Sequence, residues 1–399
     1  MPDRSVHWHE GMFLLPQHFQ ATDRYWSERV ATSSQWDNHY NYGLRRIKIA
    51  PDALANHQIE VSSCQARLQD GTIVSFDVGE DPDRVDFKQE AVTFDEALDA
   101  SGTLRVFLAV PRRRLGQPNV SNKGSAASER YIEAKLIVPD ESSGGGDQEI
   151  AFSDLNVKIM LSTQDLAGYE VVPLAQIKRS TDEAGTPMID EDYIPPVLSV
   201  DAWPPLGRDI VRAICDFLGQ QLDRISTEVV NRGVGISASD PLEVDLIFRL
   251  MQLNESYAIL RILAFAEGVH PFHAYCELCR IVGKLAIFQT EKRVQDPPLY
   301  DHDDLAKCFF WVKEQILAAF ELGGPVYEQE YFTGLGSGMH VSIKPKWLFD
   351  DWQWYVGVAR GSLTEEECCK LLEPGFLNWK MGSASRVDEY WTKGVAGWE

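Results

Sequence analysis

The sequence predicts a multidomain α+β protein: an N-terminal antiparallel β-sandwich or barrel, a central antiparallel four-helix bundle and a small C-terminal α/β head. Three observations predict it. Apolar residues alternate in short runs from Leu44 to about Val200, recur every three to four residues from Ile210 to Ala319, and alternate again from Tyr327. At 399 residues the chain is too long for one core. Ile194-Pro195-Pro196 and Trp203-Pro204-Pro205 bracket a short extended connector, because proline removes a donor and restricts the residue before it. The expected domains are therefore 1–200, 204–323 and 325–399.

In the first domain Arg46–Ile49, Ile59–Val61 and Ala66–Leu68 alternate, and Asp70-Gly71 separates them from Thr72–Phe76. An Asp-Gly pair between alternating runs predicts a hairpin with a type I′ turn. Leu104–Val110 is apolar nearly throughout and reads as a central strand; Tyr131–Val138, Asn156–Leu161 and Tyr169–Ile177 complete at least seven candidates. Arg112–Arg130, polar and locally basic, and Ser142–Gly146 read as mobile tips between strands.

The second domain changes period. Ile210, Ile214, Phe217, Leu222, Ile225 and Val229 mark one helix, closed at Arg232-Gly233. Asp240 caps the next and Pro241 occupies its first turn, with Leu246, Leu250, Leu253, Tyr257, Leu260 and Ala264 as its stripe. A third is expected from Pro271 to about Arg293. The fourth begins at Asp303 or Asp304 and carries Leu305, Phe309, Val312, Ile316 and Ala319 at heptad spacing. Four helices with apolar seams and mostly short connections predict the antiparallel bundle.

In the third domain Val326–Phe332, Met339–Ile343 and Trp354–Val358 suggest a small sheet, and Thr364 with Glu367 forms a capping-box pattern opening a helix to about Leu372.

Composition narrows the function. Sixty acidic against 38 basic residues give a formal charge of −22, which opposes binding to phosphate backbones and to anionic lipid. Seven scattered cysteines do not form a disulfide framework, no signal peptide opens the chain, and no run of apolar residues is long enough to cross a membrane. The expectation is a reduced, soluble, cytoplasmic protein that inserts in no membrane.

Motifs for chemistry are weak. His7, His9, Glu10 and His18 are close, but no His-Glu-x-x-His spacing occurs. Cys276-x-x-Cys279 sits inside an expected helix, where cysteine acts as a small apolar residue, and Cys368-Cys369 has no partner spacing. Gly334–Gly338 lacks the Lys-Ser/Thr of a phosphate loop. No catalytic residue, cofactor or metal is expected. A small-molecule enzyme with its site between the bundle and the last domain is the alternative these cysteines and glycines would serve.

The most unusual stretch is the start. Trp8 to Gln20 holds Trp8, Met12, Phe13, Leu14, Leu15 and Phe19 where chain ends are usually polar and frayed. Gly11 permits a tight turn, and Pro16 can open a helix of about five turns in which Phe19, Trp26 and Val30 recur. An apolar anchor needs a surface to cover.

That stretch also carries a resemblance. Trp8, Glu10, Gly11, Met12, Leu14, Pro16, Gln17, His18, Phe19 and Gln20 stand in an order that resembles the opening motif of the TssK family, the baseplate subunit of the bacterial type VI secretion system. At motif level the likeness covers only the start; the order of β-rich, helical and mixed parts extends it coarsely over the chain. It implies a homotrimer whose N-terminal domain, similar to the shoulder of phage receptor-binding proteins, holds the TssF–TssG wedge. It implies a helical neck and a C-terminal head that reaches the cytoplasmic parts of TssL and TssM at the inner membrane. It also implies a further proline-rich stretch and a last strand, so the third domain would be incomplete at Glu399. A phage-type tail or receptor-binding protein shares the β-then-helix layout.

Overall fold

The computed structural model describes residues 4–77, 88–89, 98–99, 102–121, 128–180, 185–237, 240–289, 291–321, 330–335, 338–348, 354–357, 364, 367, 370 and 380–394. The chain forms two compact units, Met1–Gly324 and Pro325–Glu399.

In the first unit helix α1 (Pro16–Asp37) leads into β1 (Gly43–Ile49), the short helix α2 (Pro51–Ala55), β2 (Ile59–Arg67) and β3 (Ile73–Asp77). These strands form an antiparallel sheet in the order β1-β2-β3, with β4 (Lys88–Gln89) also on β2. A second sheet takes β5 (Thr103–Pro111), β9 (Lys158–Leu161), β10 (Tyr169–Arg179) and β11 (Pro187–Ile189) in the order β11-β10-β5-β9. Between β5 and β9 in sequence, β6 (Val120–Ser121), β7 (Tyr131–Val138) and β8 (Gln148–Leu155) make a separate three-stranded ribbon. The ladder of β10 slips between Pro173 and Ala175, because proline has no N–H to give it.

The expected Asp-Gly hairpin forms between β2 and β3, but not with a type I′ turn. Only Gly71 has positive φ, at 85°; Leu68 N–H bonds Thr72 O at 2.9 Å, and Asp70 Oδ1 accepts from Thr72 N–H at 2.9 Å. A three-residue loop with one left-handed glycine does the work, and the aspartate stabilises it by its side chain.

The 194–203 connector is buried. Ile194, Val197, Ser199 and Trp203 are almost wholly enclosed, and Leu44 exchanges backbone hydrogen bonds with Pro196 and Leu198. One contiguous apolar cluster draws Val61, Cys64 and Val74 from the first sheet, Val106, Leu108 and Leu174 from the second, and Leu218, Leu260 and Phe309 from the helices.

Past Trp203 a helical turn and a π-helical stretch, Gly207–Arg212, feed α3 (Ala213–Arg232). A side chain at Gly207 would come within 2.9 Å of Val200 O, so the backbones touch there. Gly233 closes α3 in the left-handed conformation at φ 64°. In α4 (Pro241–Phe265) Asp240 Oδ1 accepts from Leu242 N–H, the cap expected from sequence. α5 (Pro271–Leu285) ends eight residues sooner than expected: it tightens to a 3₁₀ turn over Ala286–Phe288, and Gln289 Nε2 donates to Gln315 O of α6 (Leu305–Glu321). The α6 heptad Leu305, Phe309, Val312, Ile316 and Ala319 is buried throughout. α3 packs on α4, α4 on α5 and α5 on α6. Arg212 Nε reaches Ala264 O at 3.1 Å, and Lys313 Nζ reaches Asp209 O at 3.1 Å.

In the second unit β12 (Thr333–Leu335) and β13 (Gly338–His340) pair antiparallel, and Gly336 and Ser337 of the glycine run lie outside the described residues. The capping box forms, with Thr364 N–H donating to Glu367 Oε2 at 2.9 Å; most of the helix expected after it lies outside the described residues. Most of the expected 326–332 strand does too. Trp354–Gly357 has no strand pairing, against expectation; Trp354 instead meets Trp347 edge-on at 5.9 Å. α7 (Val387–Lys393) follows.

Candidate interaction surface

The leader has a definite local geometry. Gly11 takes φ +81°, which an L side chain resists, and Met12 N–H reaches back to His9 O at 3.4 Å. Pro16 opens α1, and His18 Nδ1 accepts from Leu15 N–H at 3.1 Å, satisfying one of the donors a helix start leaves open. The turn brings Trp8 back over this first helical turn, with ring centroids 6.1 Å from His18 and 6.2 Å from Phe19. Met12 and His18 are half-buried; Trp8, Glu10, Gly11, Leu14, Pro16, Gln17, Phe19 and Gln20 are exposed.

The surface that such an anchor is expected to cover is not supplied by the described residues of the isolated chain. No residue of α1 is buried, and Phe13, Trp26, Val30 and Trp36 join the leader in facing outward. The motif shapes an apolar surface and leaves it uncovered.

Among the described residues two sets of contacts fasten that surface to the body. Gln35 Nε2 donates to Gln69 O at 2.8 Å, and a Cβ at Gly71 would stand 2.5 Å from Ala31 Cβ, so the β2–β3 loop tip touches α1 only because residue 71 is glycine. Asp70 of the same tip pairs with Arg130 at 3.0 Å; Arg130 is 5% exposed and also donates to Thr72 Oγ1 and Pro111 O. The basic stretch read as a mobile tip thus ends in a part-buried ion pair. Arg113 bonds the Tyr131 hydroxyl and Arg112 pairs with Glu170 at 2.8 Å.

The second fastening is a pair of histidines. His270 Nε2 donates to Tyr40 O at 2.9 Å and His302 Nε2 to Tyr42 O at 2.8 Å, clamping the segment between α1 and β1 against the helices. Burial holds both imidazoles below the usual histidine range. Sequence reading missed these histidines and Gln35, and saw Gly71 only as a turn residue, because their contacts span up to 260 positions and leave no local pattern.

A further surface went unread. On α4, Phe248, Met251, Ala258, Ile262 and Phe265 recur at heptad spacing on the side away from the buried Leu253, Ser256, Leu260 and Ala264. A helix apolar on both sides is normally covered on both. The spacing was visible in sequence but masked by the stronger inner stripe.

Cys368-Cys369 lies outside the described residues. Cys276 is exposed and Cys279 half-buried on α5; burial pushes the Cys279 thiol up to about 11 and raises Cys276, which keeps both protonated and poorly nucleophilic. Among the described residues no group of three His, Cys, Asp or Glu is placed to hold a metal ion, and no helix is long and apolar enough to cross a membrane.

Comparison with known proteins agrees with the leader's resemblance. A protein-family model described as "Bacterial Type VI secretion, VC_A0110, EvfL, ImpJ, VasE" matches residues 18–399. The type VI secretion system baseplate component TssK1 of Pseudomonas aeruginosa is 28% identical over 373 residues, which span 90% of this chain and 79% of that protein. Among solved structures, a crystal structure of TssK superposes with a TM-score of 0.70 at 20% identity, covering 82% of this chain and 75% of that one. A chain of a type VI secretion system TssK-TssF-TssG baseplate subcomplex gives a TM-score of 0.65 at 22% identity, covering 80% of this chain and 99% of that one. The family match extends over nearly the whole sequence, and this chain belongs to the TssK family of bacterial type VI secretion proteins.

Proposed function

We propose that this protein is a structural adaptor in the baseplate of a type VI secretion system, joining a TssF–TssG wedge to the inner-membrane complex. The observation that carries the reading is the leader: thirteen residues fold into a fixed turn and helix start while holding Trp8, Phe13, Leu14 and Phe19 outside. A monomer gains nothing from such a surface, whereas a buried interface gains about 25 cal/mol per Å² of apolar area covered. Relatives named as baseplate components and solved with TssF and TssG support the same partners here.

Within this reading the β-rich part, 1–200, holds the wedge and the 325–399 part meets TssL and TssM. The helical part, 204–323, joins three copies. The outward heptad stripe of α4 supports self-association, since a 3.5-residue apolar repeat is the seam of helices that pack on one another. The role is assembly in the cytoplasm at the inner face of the membrane, without catalysis or cofactor.

Co-purification tests it. The full chain should retain TssF–TssG and, separately, the cytoplasmic parts of TssL and TssM, and should scatter light with the mass of three chains. A monomer at micromolar concentration that retains neither set overturns the reading.

A further inference from the structure

The ribbon of β7 and β8 has one uncovered apolar face. Among the described residues it packs substantially on no element but β6, which meets only its root at Tyr131 and Ile132. Its register pairs Ala134 with Phe152 and Leu136 with Ile150, and side chains directly opposite share a face. Leu136, Ile150 and Phe152 are exposed on that face. The other face carries Glu133, Lys135, Glu149 and Ser153, with Ile137 its one large apolar residue. A two-stranded ribbon alone is marginal in water and gains stability when its apolar face packs on a helix or on further strands.

The same chain holds a helix in the complementary condition. Beyond the leader, Trp26, Val30 and Trp36 point outward from α1 within about 120° of arc. They span about 15 Å of helix, and Ala134–Val138 span about 14 Å of strand. These three side chains and the ribbon's three are 41–83% exposed, which at about 200 Å² for a large side chain makes about 700 Å² of apolar surface. The smallest stable interfaces cover that much, about 1,200 Å² in all with somewhat over half of it apolar. Either surface alone falls short.

One loop tip holds both surfaces within a chain, in a relation where neither covers the other. Gly71 meets Ala31 of α1, and Asp70 beside it pairs at 3.0 Å with Arg130, the residue before β7. Charge opposes pairing of one ribbon with another: from Tyr131 to Leu155 Lys135 is the single base among six acids, and Glu149 already holds it at 3.1 Å.

We propose that the apolar face of the ribbon receives α1 of a second copy of this chain, each copy giving its helix to one neighbour and its ribbon to the other. A contact between two different surfaces repeats from copy to copy and is satisfied everywhere when the ring closes. The inference rests on the three-copy part of the adaptor reading and adds a contact between copies in the β-rich part, apart from α4.

Ser33 and Gln148 are exposed polar residues beside the two surfaces. A full-length Ser33→Cys/Gln148→Cys chain, in a Cys276→Ser background, is treated with a flexible bis-maleimide, and chains with either new cysteine alone set the background. The expected products are covalent species of two and three chains. Linkage within single chains only, or none above background, overturns the docking. In Leu136→Asp/Phe152→Asp the concentration at which light scattering shows half the trimer lost should rise at least tenfold at unchanged melting temperature; a rise within twofold also overturns it. If that variant fails to fold, the linkage still decides. A monomeric wild type overturns the docking and the three-copy reading together, whereas a trimer without linkage overturns the docking alone. Ribbon amides 132–138 that gain protection only when purified TssF–TssG is added assign the face to the wedge and overturn it too.

Discussion

The imidazoles of His270 and His302 lie parallel, 10° apart in plane and 5.5 Å between centroids, and each donates to a carbonyl of the segment that carries α1. Their other nitrogens are also committed. His270 Nδ1 accepts from Phe272 N–H at 3.2 Å, and His302 Nδ1 stands 2.8 Å from the Tyr300 hydroxyl. A proton on His270 Nδ1 would face another N–H, so that ring is held neutral, and burial lowers the pKa of both rings.

That arrangement makes stability depend on pH. Histidines whose folded pKa is lowered bind fewer protons in the fold than in the unfolded chain, so stability is full above the unfolded value of about 6.5 and falls as pH drops below it. Asp301 and Asp303 oppose the lowering at His302, and His273 adds to it at His270. Melting temperature should be level from pH 8 to 7 and decline from 6.5 to 5. In a His270→Asn/His302→Asn variant, whose amides can still donate, that step should be absent. Hydrogen exchange should show 38–42 opening first in the wild type.

The Asp70–Arg130 pair gives a second test. Asp70→Ala removes both the turn's acceptor and the counter-ion of a guanidinium that is 5% exposed. Hydrogen bonds to charged groups are worth about 1.5–3 kcal/mol, so urea unfolding should show a loss of about 2 kcal/mol by the same principle. Asp70→Asn, which keeps an acceptor for Thr72, should recover part of it.

These two clusters mark where sequence reading stops. The helix starts and stops at Asp240 and Gly233 were legible because capping is local, and the α6 seam because one buried face imposes its period. β8 was not: both faces of its ribbon meet solvent at most positions, so its alternation of polar and apolar residues is weak. The turn at Asp70-Gly71 was placed correctly and typed wrongly, since one positive φ suffices when the loop has three residues. The leader's outline was read from Gly11 and Pro16. Its exposure was not, because nothing local says whether a surface is covered by the same chain or another.

That exposure sets the expectation for the leader. Trp8 and Phe19 would cost several kcal/mol on truncation if buried, but they are 49% and 54% exposed in the isolated chain. The Trp8→Ala/Phe19→Ala variant should lose only about 1 kcal/mol or less of folding stability, as substitutions away from a core do. Its binding to TssF–TssG should weaken much more, since aromatic anchors dominate interfaces. Equal melting and equal binding would remove the leader's role.

Gly71 offers the complementary test, altering the leader's support without touching its surface. Alanine there meets both a strained φ of 85° and a Cβ 2.5 Å away at Ala31. Exchange of α1 amides should accelerate in Gly71→Ala while the β5 and β10 amides keep their protection.

The outward stripe of α4 separates assembly from folding. Ile262 is 65% exposed and Met251 58%, so glutamate at either meets solvent in the monomer and costs the fold little. In a helical seam the same carboxylate is buried without a partner, once per copy, at an effective penalty of several kcal/mol per charge. Light scattering should report three chains for the wild type and one for Met251→Glu/Ile262→Glu, with unchanged helical circular dichroism. Glu255 interrupts the stripe but is held by Lys284 of α5 at 2.6 Å, so a seam at that level can tolerate it. A double variant that remains trimeric would move the self-association surface off α4 and onto another part of the chain.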